Sequence, residues 1–274
     1  MRQLLLPALL ALSACTFGGG GIAPFAPAPA ARIAEANLEV PYVPTPRPVV
    51  EAMLDMAGVG PGDYLIDLGS GDGRIAIMAA QRGARALGVD LDPARVSEAT
   101  LAAQVAQLQG QAMFRRQDLF ATPLRDADVI SLYLLPSVNL RLRPRLLTET
   151  RPGTRIVSHA FHMGDWRPDG HREVNAAHAY LWIVPAVAAG RWTLETARGT
   201  SHSLILEQRF QEVSGTLDGR PIREPVLRGR SLRFTADLPE GAVTFHGRVE
   251  DAAIVADPAA AAEAPAGWRA RRQG

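Results

Sequence analysis

A glycine-rich segment beginning at Asp67 holds the residues best suited to bind a small charged ligand. It reads Asp-Leu-Gly-Ser-Gly-Asp-Gly, the pattern D-x-G-x-G-x-G, and Arg74 follows it. Glycine at alternate positions lets the backbone turn tightly and lets a ligand approach closely. Arg74 stands where the dinucleotide fingerprint G-x-G-x-x-G needs its last glycine, and a Walker A loop is excluded because no Gly-Lys-Ser/Thr follows. The acids Asp67 and Asp72 disfavour a pyrophosphate and favour a ligand that carries sulfonium and ammonium groups.

Two more carboxylates follow the next two predicted strands. Asp90 ends the second strand, where it can accept hydrogen bonds from both hydroxyls of a ribose. Asp118 follows the third strand and can accept from an adenine amine, while Leu119 and Phe120 pack on the ring. The carboxyl ends of parallel strands meet at one edge of such a sheet, where ligands bind. Each acid alone is more typical of a helix cap or a loop, but together with the glycine loop they predict a site for a cationic nucleoside.

Alternating strands and helices are predicted around these residues. Apolar runs predict strands at 64–68, 86–90, 112–116, 127–134, 154–159 and 178–184, and helices begin at Pro48 and span 74–81, 93–108 and 137–148. This alternation predicts an α/β fold with a doubly wound, mostly parallel sheet over residues 38–188.

The pattern changes after residue 188. Residues 189–274 contain short alternating segments separated by glycine turns, which predict a small antiparallel β-meander, either a barrel or a sandwich. Its first strand, 191–196, could instead complete the sheet of the larger domain. Trp192 and Trp268 lie near the two ends of this region and are expected to share one core.

The first residues resemble a targeting segment. Residues 4–12 form an apolar run too short for a bilayer, which needs roughly 20 residues, and Leu-Ser-Ala-Cys15 follows, like a bacterial lipobox. We therefore expect a signal peptide over 1–15, lipid attachment at Cys15, and a flexible Gly/Ala/Pro linker over 16–37. This predicts a lipid-anchored protein of the bacterial cell envelope. A chance cysteine after a plain signal peptide, or an unprocessed cytoplasmic chain, remains the alternative.

Composition excludes several classes of protein. The chain has 29 basic and 28 acidic residues among 274, which argues against a general nucleic-acid binder. One cysteine rules out an internal disulfide and a cysteine-based zinc site. His162 and Asp165 lie close in sequence but lack the spacing of metal ligands, so no metal site is predicted.

Residues 40–185 resemble a class I S-adenosylmethionine-dependent methyltransferase, and more narrowly the bacterial relatives of mitochondrial protein-lysine methyltransferases. The resemblance rests on the glycine loop with Arg74 and Ile75, and on the segments Pro-Tyr-Val-Pro-Thr-Pro (41–46), Asp-Leu-Phe (118–120), Leu-Tyr-Leu-Leu-Pro (132–136) and Val-Ser-His-Ala-Phe (157–161). It implies a Rossmann-like fold, S-adenosyl-L-methionine as cofactor, and a segment 42–45 that closes over it. The expected cofactor-binding residues are Tyr42, Thr45, Asp67, Gly69, Ser70, Gly71, Asp72, Gly73, Asp90, Leu91, Asp118 and Leu119.

The resemblance also implies a protein substrate with a lysine side chain. Tyr133 ends the fourth strand and could orient the amine; His159 ends the fifth and either contacts substrate or caps that strand. These two residues are the catalytic candidates. Two alternatives remain, a lipid-anchored envelope binding protein with a vestigial methyltransferase fold and a small-molecule methyltransferase. An exported enzyme would also need a cofactor supply, because S-adenosylmethionine is made in the cytoplasm.

Overall fold

The computed structural model describes residues 43–260, 265 and 267–273. The predicted signal peptide, the linker, Cys15 and Tyr42 lie outside the described residues. Two β-sheets and four α-helices make up the described part, which belongs to one compact unit of the chain.

The first sheet has the predicted α/β architecture. Its strands are β1 (Tyr64–Leu68), β2 (Arg85–Asp90), β3 (Ala112–Arg116), β4 (Val129–Leu132), β5 (Arg155–His159), β6 (Gly170–Val174) and β7 (Ala177–Ile183). They lie in the order β3-β2-β1-β4-β5-β7-β6, with β1 to β5 parallel and the last two antiparallel. The prediction missed β6, because this edge strand is largely exposed and carries no apolar run.

Four helices cover the sheet: α1 (Arg47–Met56), α2 (Arg74–Gln81), α3 (Pro93–Val105) and α4 (Pro136–Glu149). Pro48 lies in the first turn of α1, where its missing N–H costs no hydrogen bond. α3 ends three residues before its predicted limit, because Gln107 adopts φ 59° and the N–H of Leu108 closes back on Ala103. None of these described helices combines the length and hydropathy that crossing a bilayer requires.

The second sheet is antiparallel and nearly closed into a barrel. Its nine strands are β8 (Gly190–Glu195), β9 (Ser201–Arg209), β10 (Glu212–Leu217), β11 (Arg220–Pro221), β12 (Arg223–Arg228), β13 (Ser231–Leu238), β14 (Gly241–Val249), β15 (Ala253–Ala256) and β16 (Arg269–Arg272). β8 pairs with β9 and β16, so the alternative in which it completes the first sheet is wrong. β10 lies beside β12 and so brings the two ends of the sheet together.

The interior of this barrel is filled by side chains. Trp192 and Trp268 are both buried in one core, as expected, and the Trp268 indole meets the rings of Phe234 and Phe245 edge-on. The alternating segments of the sequence at 191–196, 203–208, 211–216, 231–235 and 243–249 correspond to β8, β9, β10, β13 and β14. The strands β11, β12, β15 and β16 were not predicted. Two of them are very short or carry arginine at alternate positions, so their apolar pattern is weak.

The turn between β9 and β10 anchors the barrel to the first sheet. Phe210 in this turn stacks on Trp166, with 5.9 Å between ring centroids. The Trp166 indole N–H donates to the Gln211 side chain, which in turn donates to the Arg167 carbonyl. Asp165 forms ion pairs with Arg209, the last residue of β9, and with Arg143 of α4. The segment that follows β5 is therefore held on one side by the barrel.

Candidate functional site

A cavity of about 510 Å³ opens at the carboxyl edge of the first sheet, in the size range of small-molecule sites. It is bounded by the segments that follow β1, β2, β3 and β4, as the strand-end argument predicted. Among the predicted site residues, those on its wall are Thr45, Gly69, Ser70, Gly71, Asp72, Asp90, Leu91, Asp118, Leu119 and Tyr133. Asp67, Gly73 and His159 lie behind the wall.

Three glycines give the loop a shape that other residues resist. Gly69, Gly71 and Gly73 have φ of 79°, 52° and 78°, in the left-handed region that favours glycine. The loop is held against β2, because the N–H groups of Gly69 and Ser70 both donate to the Val89 carbonyl. A Cβ at Gly73 would lie 2.5 Å from the Phe114 ring, so this glycine is also needed for close packing.

Asp90 serves the loop as well as the cavity. Its Oδ2 accepts from the Gly71 N–H and its Oδ1 from the Asp92 N–H, both at 2.9 Å. Each carboxylate oxygen keeps a second acceptor site, so the side chain can still receive hydroxyl groups from the cavity. Asp118 likewise caps a short turn through the Phe120 N–H while it lines the cavity. The cap role and the binding role weighed for these acids are therefore compatible.

Asp67 is a buried carboxylate with one satisfied oxygen. Its Oδ1 accepts from the Ser131 hydroxyl at 2.7 Å, while its Oδ2 has no hydrogen-bond partner among the described residues. The pKa of Asp67 is raised to about 7, chiefly by burial; the Ser131 hydrogen bond lowers it, and the charges of Asp90 and Asp72 contribute to the rise. The loop thus rests on a carboxyl group whose ionised form a nearby cation would stabilise.

The Ser70 hydroxyl indicates what kind of ligand the loop suits. The side chain is buried, it lines the cavity, and its Oγ finds no partner in the described part of the chain. A buried hydroxyl without a partner costs free energy unless a ligand or ordered water satisfies it. The unpartnered oxygens at Ser70 and Asp67, together with the acids around them, fit a ligand that offers hydrogen-bond donors and positive charge.

The segment 43–46, here called the strap, passes over the cavity and is fastened at two points. The Arg74 guanidinium donates to the Thr45 carbonyl and also pairs with Asp72 of the glycine loop. The buried Thr45 hydroxyl lies 3.1 Å from His159 Nδ1. Thr45 therefore connects the strap both to the glycine loop, through its carbonyl, and to the end of β5, through its hydroxyl.

His159 connects the strap to Tyr133. The two rings are in contact at a tilt of 36°, with 3.9 Å between centroids, and the Phe161 ring stacks on Tyr133 at 6.3 Å. Burial lowers the pKa of His159, so the imidazole is neutral near pH 7. Because Tyr133 lines the cavity and His159 does not, the geometry favours a positioning role for the histidine.

Several cavity residues were not predicted: Arg95, Gln117, Val138 and Arg141. Arg141 lies over the Phe120 ring, with its guanidinium carbon 4.3 Å from the centroid. Its position in the second turn of α4 was readable from Pro136 at the helix start, but no sequence motif marked the face that turns to the cavity. No group of three or more potential metal ligands occurs within the described residues.

Replacing Thr45 with valine is expected to weaken cofactor binding about two- to twelvefold, because a neutral hydrogen bond contributes about 0.5–1.5 kcal/mol. The change keeps the side-chain volume and removes the link to His159. Isothermal titration at pH 7.5 measures it, with Thr148→Val as control, since Thr148 bonds only within an exposed part of α4. Equal affinity in Thr45→Val and the control would contradict a fastening role for this contact.

Comparison with known proteins gives a consistent set of relatives. A family model, the ANTKMT methyltransferase domain, matches residues 67–170. The protein-lysine N-methyltransferase of Saccharolobus islandicus is 41% identical over 151 residues, which are 53% of this chain and 94% of the archaeal protein. The adenine nucleotide translocase lysine N-methyltransferase of Mus musculus is 40% identical over 48% of this chain, which spans 58% of the mouse protein.

One similar protein of known structure is described as an RNA methyltransferase, unlike the lysine methyltransferases above. The crystal structure of an RNA methyltransferase from Salinibacter ruber in complex with S-adenosyl-L-homocysteine is 48% identical, with a TM-score of 0.51. It covers 52% of this chain and 94% of its own. The similarity is thus nearly complete for the shorter relatives and confined to about half of this chain. The chain belongs to the class I S-adenosylmethionine-dependent methyltransferases, in the family that includes the archaeal protein-lysine N-methyltransferase.

Proposed function

We propose that this protein transfers a methyl group from S-adenosylmethionine to a lysine side chain of a protein substrate. The observation that carries the proposal is a single cavity that runs from the acid-flanked glycine loop to Tyr133. Relatives at 41% and 40% identity that are named lysine N-methyltransferases support the choice of substrate.

The residues present fit the cofactor. We assign the ribose hydroxyls to Asp90 and the adenine amine to Asp118, with Leu119 beside the ring. The carboxylates of Asp72 and Asp67 lie near the loop and favour the cationic part of the ligand, as opposite charges do at short range. When bound, S-adenosylmethionine supplies an electrophilic methyl group on a positively charged sulfur.

The substrate end of the cavity has apolar walls. Leu134 and Val138 are buried beside Tyr133 at this end. An amine that enters such surroundings loses its proton more readily, because burial disfavours the charged form. The Tyr133 hydroxyl can accept a hydrogen bond from the neutral amine and orient its lone pair. The chain's main contributions are then alignment and exclusion of water.

RNA is the second candidate substrate, and one observation favours it. The Salinibacter ruber structure, described as an RNA methyltransferase, is the more similar relative in sequence identity. The small-molecule alternative remains as a third outcome. An envelope binding protein with a vestigial site has less support, since the cavity is open and its glycines and acids are in place.

Labelled methyl transfer separates these substrates. The protein is incubated with methyl-labelled S-adenosylmethionine and a whole-cell extract, and samples are then treated with protease or with ribonuclease. We expect label in a protein band that protease removes, and methyl-lysine after acid hydrolysis. Label that only ribonuclease removes would contradict the lysine proposal and establish the RNA candidate, and label only in small molecules would establish the third.

A further inference from the structure

The outer surface of the barrel carries a set of arginines on one side. Five adjacent strands form this side, in the order β8-β16-β15-β14-β13. Their outward-facing positions include Arg191, Arg233, Arg248, Arg269 and Arg271, all of them exposed. We call these five residues the arginine face.

Strand register brings the arginines close together. Arg248 and Arg269 flank Val255 of β15 on its two sides, and Arg271 follows two residues along β16. Arg233 lies opposite His246 of β14, and Arg248 is the next residue along β14 that points to the same side as His246. With about 4.8 Å between neighbouring strands, the five strands span about 20 Å along the curved wall of the barrel.

Little negative charge balances this face. Glu195 lies opposite Arg269 across a register pair. Asp237, at another outward position of β13, pairs with Arg223, which is outside the arginine face. The side chains of the arginine face form no hydrogen bond or ion pair with other residues in the part of the chain that the structure describes. These arginines stand in a chain whose formal net charge is only +1.

The residues between the arginines indicate what kind of partner fits. They are small or uncharged, such as Thr193, Ser231 and Val255, with the half-buried His246 among them, whereas the Trp and Phe rings of these strands lie in the barrel core. Proteins that bind single-stranded nucleic acid stack bases on exposed aromatic rings, and this face carries no Trp, Tyr or Phe and only the half-buried His246. A surface with several arginines and so little exposed aromatic area matches a sheet of phosphate groups.

We propose that the arginine face binds a bilayer of anionic phospholipid through its headgroup phosphates. Basic side chains near such a surface each contribute about a factor of five in affinity. A single lipid chain binds a membrane only weakly, and a patch of basic side chains on the same protein strengthens that binding. The lipid attachment predicted at Cys15 would supply such a chain, but the arginine face binds the bilayer without it.

Vesicle sedimentation tests the proposal. The full chain carrying Cys15→Ser, which removes the acylation site, is mixed with vesicles of phosphatidylcholine alone or of equal parts phosphatidylcholine and phosphatidylglycerol. We expect binding that requires phosphatidylglycerol and is lost at about 1 M salt, where the Debye length is about 3 Å. The pair Arg248→Glu and Arg269→Glu should lower this binding about 25-fold or more.

A matched pair of reversals controls for net charge. Arg198→Glu with Arg220→Glu changes the charge equally at exposed positions outside the arginine face, and should keep at least half of the binding. Equal loss in both pairs, or equal binding to the two kinds of vesicle, would overturn the proposal. Binding of an RNA duplex that depends on Arg248 and Arg269, without binding to anionic vesicles, would overturn it in favour of a nucleic acid. Methyl transfer to extract proteins is measured in parallel, so failure of the lipid proposal is distinguishable from failure of the proposed function.

Discussion

Replacing Gly71 with arginine is expected to abolish cofactor binding and methyl transfer while the protein remains folded. Gly71 has φ 52°, lines the cavity, and gives its N–H to Asp90. A side chain in this left-handed conformation costs about 1–2 kcal/mol. The larger effect is steric, since Gly71 lines the cavity, where the long side chain would take up space and place a positive charge against a cationic ligand.

Isothermal titration with S-adenosylmethionine and with S-adenosylhomocysteine measures this effect. We expect the affinity for both to fall at least a hundredfold. The loss should be greater for S-adenosylmethionine, because it carries the sulfonium charge that the new guanidinium repels. Gly110→Arg is the matched control, since nothing lies within 4 Å of a Cβ at that position. Retained binding in Gly71→Arg, with native circular dichroism, would contradict the placement of the cofactor in this cavity.

The sequence was informative where local chemistry and strand order act together. The glycine loop, Asp90 and Asp118 were expected at one sheet edge, and the structure places them on one cavity wall. This worked because parallel topology brings successive strand ends to the same edge whatever the details of packing. The fourth predicted strand was too long for a related reason, because Tyr133 and Leu134 leave the sheet to line the cavity.

Contacts between distant segments could not be read from the sequence. The hydrogen bond between Thr45 and His159 joins residues 114 positions apart, and neither residue type announces the other. The same holds for Phe210, which stacks on Trp166 from the other sheet. Such pairs depend on the relative positions of whole elements, which composition and periodicity do not specify. The arginine face was hidden for the same reason, since it exists only when five strands are in register.

The burial of Asp67 behind the loop was also not foreseen, and it has a consequence for stability. In the folded protein its pKa is about 7, against 3.8 for the ordinary carboxyl. Between these values the folded state binds one proton more than the unfolded state, so stability falls as the pH rises from about 4 to 7 and then stays level. The shift corresponds to a cost on the order of 4 kcal/mol for the ionised carboxylate at pH 8.

Asp67→Asn is therefore expected to stabilise the cofactor-free protein at pH 8. The amide cannot ionise, although its buried NH₂ group would offset part of the gain by about 1–3 kcal/mol. A net gain of about 2 kcal/mol corresponds to a rise in Tm of about 4–8 °C for a chain of this size. At pH 5, where the wild-type carboxyl is already protonated in the folded state, the gain should vanish or change sign. Asp126→Asn, at an exposed aspartate, should show no such dependence on pH.

The same substitution should lower the affinity for S-adenosylmethionine. The ionised Asp67 carboxylate is costly to bury on its own, and a bound cation stabilises it. Binding of S-adenosylmethionine to the wild type should tighten as the pH rises through about 7, since the ligand favours the deprotonated form of Asp67. In Asp67→Asn this tightening should disappear, and the Tm increase caused by S-adenosylmethionine should be smaller than in the wild type. A variant with the same affinity and pH dependence as the wild type would show that the charge of Asp67 has no part in holding the cofactor.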